Sequence, residues 1–511
     1  MYPEQNEPIQ EPQKPVYTLT DTVYAWLSLI FAFLFCQTLP VMERPLGGFL
    51  LILSLFISAA VILRLKKQKL DRACLLSAVS ALIIASALLL TDTRFLIRLS
   101  MAYSLASYCY FLYAAFGNRI EQGFSDYIYI DFLKVLIILP FSSLGKLFLA
   151  LFNKTTEKSS MFLVKILIGI GIAIIPTALA FSFLSYDSGF MKIIDDIFSV
   201  DGEKVGRIVR SLIFALPLGM YGFGLYAASQ EKKLHSKMTA QSCQAGLQKV
   251  RILPQLTAVV AVVPILFLYV VFFISQWKYY VSGFTGLLPE NFSYAEYARQ
   301  GFFELCAVSV INLVLIVAIA FFIKRGKNGN SIVLKSVAGV FCLCTLILIS
   351  TAVAKLVMYI DYYGLTPRRI YAMWLMALIA VVFLLIALGQ FLRKMKTVAT
   401  CFMVAIVMFA GLSVCNVNAL CARYNADRYL SGSLKTLDVM AMDEWGDSAI
   451  PSLVKVSQNM DGEKNPAMKL TIDNILNREM EKHEEEKFSL FSFSVPSARA
   501  KAALEEYAQR K

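Results

Sequence analysis

The chain is 511 residues long, 58% hydrophobic and only 17% charged, with a formal net charge of +13 and a mean hydropathy of +0.62. Soluble globular proteins carry about a quarter of their residues as Asp, Glu, Lys and Arg, so a water-soluble chain is excluded. The positive balance does not indicate nucleic acid as a partner, because the Lys and Arg fall in short loops and leave no continuous basic face.

Residues 1–22 are polar, proline-bearing and mildly acidic. Without a basic n-region they do not form a cleavable signal peptide; they read as a disordered tail before an uncleaved first helix. Eleven apolar stretches follow, at 23–41, 46–63, 73–90, 99–116, 161–184, 208–228, 256–274, 302–323, 332–359, 370–392 and 398–415. Each approaches the roughly 20 residues that a helix needs to cross a hydrocarbon core of about 30 Å. A bilayer offers no water to unpaired backbone groups, so the stretches form helices or a closed barrel. They are apolar on every face instead of alternating, which selects helices.

The expected fold is therefore all-α: a polytopic transmembrane bundle of about 11 helices with a small C-terminal helical extracytoplasmic region. Residues 23–116 supply four transmembrane helices, 117–160 a cytoplasmic-side interfacial segment, 161–415 seven more helices, and 416–511 the C-terminal region. Within the interfacial segment, 127–152 is rich in Ile, Leu and Phe but carries Asp131, Lys134 and Lys146, and Pro140 breaks its middle. It reads as two short interfacial helices or a re-entrant pair. The loops on one side then hold more than twice as many Lys and Arg as those on the other. That bias, which would vanish if 127–152 spanned, places the N-terminus in the cytoplasm and the C-terminus outside.

Three polar motifs lie on the expected outer side. The first, Ser293 to Glu304, leads into the eighth helix; Glu296 and Arg299 stand three apart and can pair on one helical face. Glu304 falls about one turn inside the membrane, where a carboxylate needs a partner. The second runs from Lys355 through Asp361 to Tyr371. Gly364 there can supply the positive φ that ends a helix, Thr366 is placed as N-cap, and Pro367 takes the first helical position ahead of Arg368 and Arg369. The third leaves the last span, with Arg423 and Asp427 four apart. Polar residues at helix ends commonly cap helices and anchor in headgroups. The functional alternative gathers Glu296, Arg299, Glu304, Lys355, Asp361, Arg368, Arg423 and Asp427 into one polar site.

At these motifs the chain resembles a bacterial polytopic membrane family of unknown function, the domain of unknown function forty-one seventy-three, related to forty-one fifty-three. The matching residues are Tyr294–Leu305, Tyr363–Arg369 and Ala422–Tyr429, with a weaker likeness at Ser185–Phe190. The likeness runs from about Gly169 to the C-terminus. It implies a bacterial plasma membrane location and carries no reaction.

Beyond 437 the chain reads as short amphipathic helices. Asp447 would cap a HEAT-like helix that buries Ile450, Leu453 and Val454; a second helix covers 467–482, and Ser497 would cap a third. The run 481–487, with His483, reads as a solvated helix end. His235 and His483 are the only histidines and suggest neither a zinc site nor a catalytic triad. No P-loop is present. The ten cysteines contain no CxxC pair, and helical spacing favours free thiols at Cys415 and Cys421 over a disulfide.

The function expected is thus non-enzymatic, without cofactor or metal: an envelope sensor, scaffold or partner-binding protein. It would contact the lipid bilayer throughout and an envelope protein through 416–511. A transporter or flippase using buried charge on the outer side is the alternative, suggested by Glu304, Lys355 and Lys165 and by Pro176, Pro217 and Pro264 at membrane depth. An enzyme acting on lipid or glycan would have to use Glu296, Glu304 or Asp361.

Overall fold

The computed structural model describes residues 17–38, 44–121, 123, 125–152, 180, 183–184, 187, 189–192, 202–232, 238–285, 302–324, 331–392, 395–461, 465–485 and 489–510. The expected fifth span, Lys165, Pro176, Glu296 and Arg299 lie outside these residues or almost wholly so. The described part is helical, with a single isolated bridge between Leu253 and Ile323.

The first membrane helices are α1 (Leu19–Thr38), α2 (Pro45–Leu65), α3 (Arg72–Ala85), α4 (Ala87–Leu90) and α5 (Arg94–Ala115). The span read at 73–90 is divided at Ser86, whose hydroxyl bonds the Ile83 carbonyl at 2.6 Å and competes with the helical ladder. Next come α6 (Ile128–Leu133), a π-helical turn at Lys134–Ile138, α7 (Leu139–Phe141) and α8 (Lys146–Phe152). The later membrane helices are α9 (Gly202–Gln230), α11 (Gln255–Thr285), α12 (Phe302–Phe322), α13 (Ile332–Tyr363), α14 (Pro367–Phe391) and α15 (Thr397–Val414); the short α10 (Ala240–Val250) precedes α11. Among the described residues ten helices, counting α3 and α4 as one, are long and apolar enough to cross a membrane. The pieces from Ile128 to Phe152 are bent by 58° and would make an eleventh only if taken together. Pro217 and Pro264 lie inside α9 and α11.

The contacts of 117–152 show that this segment starts and finishes at the same end of the bundle, the near end, where α1 begins. Lys396 meets Glu121 at 3.6 Å, and Asp126 accepts from the Ala399 N–H at the start of α15. Farther along, Thr22 in the first turn of α1 donates to the Ala150 carbonyl, and Lys146 pairs with Glu231 beyond α9. A segment tied to one end at both of its own ends enters and returns. Gly224 of α9 permits the close approach: a Cβ there would stand 2.7 Å from the Pro140 carbonyl oxygen.

Two apolar cores fill the bundle. The first joins α1, α2, α3, α5, the re-entrant segment and α9 around Tyr24, Phe56, Phe111 and Phe223. The second joins α11 to α14 around Tyr269, Phe341, Ile349 and Phe383. On α15, Phe409 packs with Ile84, Leu96, Tyr103 and Trp374 and links the halves. Lipid tails are as apolar as Leu, so polar contacts and close packing hold membrane helices together. Here Asn312 of α12 accepts from Tyr269 at 2.6 Å and donates to Thr345 at 2.9 Å, stitching α11, α12 and α13.

At the far end, opposite the start of α1, the chain continues into α16 (Val417–Leu430), α17 (Val439–Glu444), α18 (Ile450–Asn459), α19 (Pro466–Glu485) and α20 (Val495–Arg510). They enclose a third core in which Ile450, Leu453 and Val454 are buried as the sequence suggests. Two capping expectations are corrected. Asp447 sits in a 3-10 turn (Gly446–Ser448) before α18 and does not cap it. α20 begins at Val495, and the Ser494 hydroxyl, not that of Ser497, accepts from the first turn. All ten cysteines are free thiols.

Candidate functional site

The turn between α13 and α14 is built by Gly364, which has φ +80 as the helix end requires. Thr366 takes the N-cap position, although its hydroxyl makes no capping bond, and Pro367 follows at the first helical position. Asn425 of α16 grips this turn from above. Its Oδ1 accepts from the Leu365 N–H at 2.6 Å and its Nδ2 donates to the Leu365 carbonyl at 2.8 Å, all buried. Arg369 donates to the Gly364 carbonyl and lies 4.2 Å from the Tyr359 ring centroid, a cation–π contact.

Arg428, also on α16, donates to the Asp361 carboxylate at 3.3 Å and to its carbonyl at 3.1 Å, and stands over the Tyr424 ring. One residue back, Asp427 pairs with Lys455 of α18 at 2.6 Å and with Arg423 at 3.8 Å. Asp92, in the loop between α4 and α5, completes the attachment. It accepts from Asn418 of α16 and from the Ser448 N–H, each at 3.0 Å. Burial raises the Asp92 carboxyl above its ordinary range, and the two hydrogen bonds only partly offset this.

The expected site residues therefore divide among different partners. Asp361 meets Arg428, and Asp427 meets Arg423 and Lys455. Glu304 lies in the first turn of α12, exposed, and acts electrostatically on half-buried Lys355 of α13. An exposed carboxylate in a first turn is favoured by the helix dipole. Arg368 is exposed, while its neighbour Arg369 makes the packed contact. Sequence reading passed over Asp92, Asn418, Asn425 and Arg428 as residues with a role; the Asn at each of 416, 418 and 425 was the available signal.

In the C-terminal unit Asp447, Glu479 and His483 bring one ligand atom each within 4.8 Å of one another, the grouping nearest to metal-ligand spacing among the described residues. Glu479 and His483 are one helical turn apart on α19. Both Glu479 oxygens are taken, Oε1 by Arg478 at 3.0 Å and Oε2 by Lys482 at 3.1 Å. With two cations already on that carboxylate, the cluster works as a polar strap holding α19 to the 3-10 turn. His483 is not on a solvated end: its side chain is 9% exposed and meets Asp447 at 3.3 Å. Burial works to raise the Asp447 carboxyl, but the His483 hydrogen bond, the charges of His483 and Lys482 and the Ser497 hydrogen bond outweigh it and hold it below its ordinary value.

A second polar centre lies at the near end. Asp131, Lys134 and Tyr113 are 2%, 1% and 0% exposed. The Tyr113 hydroxyl donates to Asp131 at 2.6 Å and accepts from the Lys134 ammonium at 3.4 Å, and the Ile120 N–H also reaches Asp131. Beside it, buried Arg119 pairs with Asp71, the N-cap of α3. Lys134 opens the π-helical turn, a departure from the α-helix common at functional sites.

A family model described as a domain of unknown function, DUF4153, matches residues 75–456. The match runs from α3 into α18 and begins well upstream of Gly169, where the motif likeness starts. No curated protein and no solved structure matches the chain.

Proposed function

As the chain belongs to the DUF4153 family, a domain whose description assigns no activity, we propose that it is a non-enzymatic membrane scaffold or sensor of the bacterial cell envelope. Its helical bundle carries the C-terminal helices as a fixed platform for an envelope protein. The bundle sits in the plasma membrane with its near end, rich in Lys and Arg, in the cytoplasm and the platform outside. The relation to the forty-one seventy-three family belongs to this reading. The observation that carries it is the three-point attachment at Asp92, Leu365 and Asp361, which fastens the platform to the far end of the bundle. The platform presents Arg423, whose side chain is 81% exposed, and the apolar Met440 and Leu470.

The test is photo-crosslinking in native membranes from residues 423 and 470, with Val407, exposed on α15, as the lipid-facing control. The expected result is one discrete protein adduct at both platform sites, absent at 407 and reduced by Asn425→Ala. Adducts only to lipid or to a second copy of the chain would defeat the reading.

The transport reading keeps one specific support, the buried charge cluster on a broken re-entrant segment. Envelope extracts loaded into proteoliposomes would separate the two. Solute uptake abolished by Asp131→Asn favours transport.

A further inference from the structure

Between α19 and α20 the chain forms a 3-10 turn, Leu490–Ser492, followed by Phe493, and its large apolar side chains are left about half exposed or more: Leu490 is 63% exposed, Phe491 50% and Phe493 45%. Three large apolar residues in four positions on a polar helical unit call for an occupant. The neighbouring helix identifies it. The turn packs against the first turn of α2, where a Cβ on Gly47 would meet the Phe491 Cβ at 3.6 Å and its ring at 3.7 Å.

The length of α2 sets the depth of that contact. Its 21 residues, at 1.5 Å each, extend about 31 Å, which is about the thickness of the hydrocarbon core. α2 has no length to spare, so its first turn lies at the hydrocarbon boundary and Phe491 lies with it. The outward-facing Leu50, Ile57 and Val61 of α2 continue an apolar stripe from the same level toward the other end. Arg44, immediately before α2, sits beside the same glycine, where a guanidinium reaches lipid phosphate. Serines at 489, 492 and 494 flank the apolar residues and suit the headgroup layer.

We propose that Leu490, Phe491 and Phe493 form a wedge that inserts into the bilayer surface beside the start of α2. The C-terminal unit is then held to the membrane at a second place, far along the chain from the α15–α16 junction. The occupant is phospholipid: acyl chain for the three apolar groups and phosphate for Arg44. This inference does not depend on whether the platform binds a protein.

The experiment places a photoreactive phenylalanine analogue at 491 or 493 of the full chain, in nanodiscs of phosphatidylcholine with an alkyne on the acyl chain. Position 57 is the lipid-facing reference and position 470 the platform reference. Adduct yield at 491 and 493 is expected within about twofold of that at 57 and at least fivefold above that at 470. Yield at the level of 470, or adducts to peptide alone, overturns the proposal. Because an analogue could disturb the turn, hydrogen exchange of 489–494 in the unaltered chain provides a second reading. Protection that falls as the nanodisc lipid is stripped supports insertion, and protection unchanged by stripping overturns it.

Discussion

Asn425 holds Leu365 by both of its backbone polar groups, at 2.6 and 2.8 Å, across 60 residues of sequence. Each side-chain end has one partner, so the turn between two membrane helices and the first platform helix move as one piece. Asn425→Ala leaves a buried N–H and a buried carbonyl unpaired, at about 1–3 kcal/mol each. A melting temperature lowered by several degrees in nanodiscs is expected, with faster proteolysis of the platform. Asn425→Asp keeps the acceptor, loses the donor and should fall between. Identical melting of all three proteins would refute the clamp.

Gly364 is the other half of that joint. Its φ of +80 with ψ −178 is a conformation essentially restricted to glycine, and an added Cβ would stand 2.6 Å from the Asn425 Oδ1. Gly364→Ala therefore meets both strain and a clash, and a loss of about 1–3 kcal/mol from the backbone alone is expected. In an Asn425→Ala background the clash is gone and the strain remains. The double variant should be more stable than the sum of the single losses predicts, which a double-mutant cycle measures directly.

Acid and base act oppositely on two carboxyls of the far end. Asp447 has its folded pKa below the ordinary value of 3.8, since the His483 and Ser497 hydrogen bonds and the nearby positive charges outweigh burial. Its contribution is complete above that ordinary value and is lost as pH falls through the folded one. Asp447→Asn should remove this acid-side decline from a stability profile. Asp92 is the reverse case. Burial raises its folded pKa, so stability declines as pH rises from 3.8 through the folded value, and Asp92→Asn should flatten that slope. A profile that keeps both slopes in the two variants would assign them to other groups.

The membrane helices were legible because hydropathy needs no knowledge of partners, and the positive φ at Gly364 because a helix must end somewhere. The charge asymmetry kept 127–152 from being read as a span; its contacts with α1, α9 and α15, which lie at one end, are long-range and were not legible. The attachments were not legible. Asp92 and Asn418 are 326 residues apart, and nothing local marks a loop aspartate as the partner of an asparagine in another helix. Arg423 and Asp427, four apart, invited an isolated pair, yet the shorter contact of Asp427 is with Lys455. Asp131 and Lys134 stand in the sequence only as charges interrupting an apolar segment; Tyr113, which joins them, sits in an apolar run of α5 that hydropathy alone reads as membrane filler.

Asn312 is the polar link of the second core. Replacing it with Ala opens a cavity and leaves the Tyr269 hydroxyl without its partner, whereas Thr345 retains its bond to the Phe341 carbonyl. Interhelical hydrogen bonds in bilayers average about 0.6 kcal/mol, so the bond itself is a small part of the effect. Asn312→Leu, which restores volume, should lose about 1 kcal/mol, and Asn312→Ala clearly more. Reversible unfolding in mixed micelles separates them, and equal losses would mean that packing at this position is irrelevant.

Asp131 and Lys134 are both buried and share the Tyr113 hydroxyl, so each depends on the other's charge being present. The Tyr113 hydroxyl bridges the two, and removing either charge leaves the other uncompensated in a medium that solvates it poorly, at up to about 3 kcal/mol. Asp131→Asn and Lys134→Met should each loosen the re-entrant segment, seen as increased hydrogen exchange across 128–152. The double variant strands no charge and should recover most of the lost stability. If the cluster serves only to hold the segment, the double variant also restores everything else the protein does. A double variant that is stable but inactive in uptake would instead assign the pair to moving an ion or proton, because stability and activity would then part company at the same two side chains.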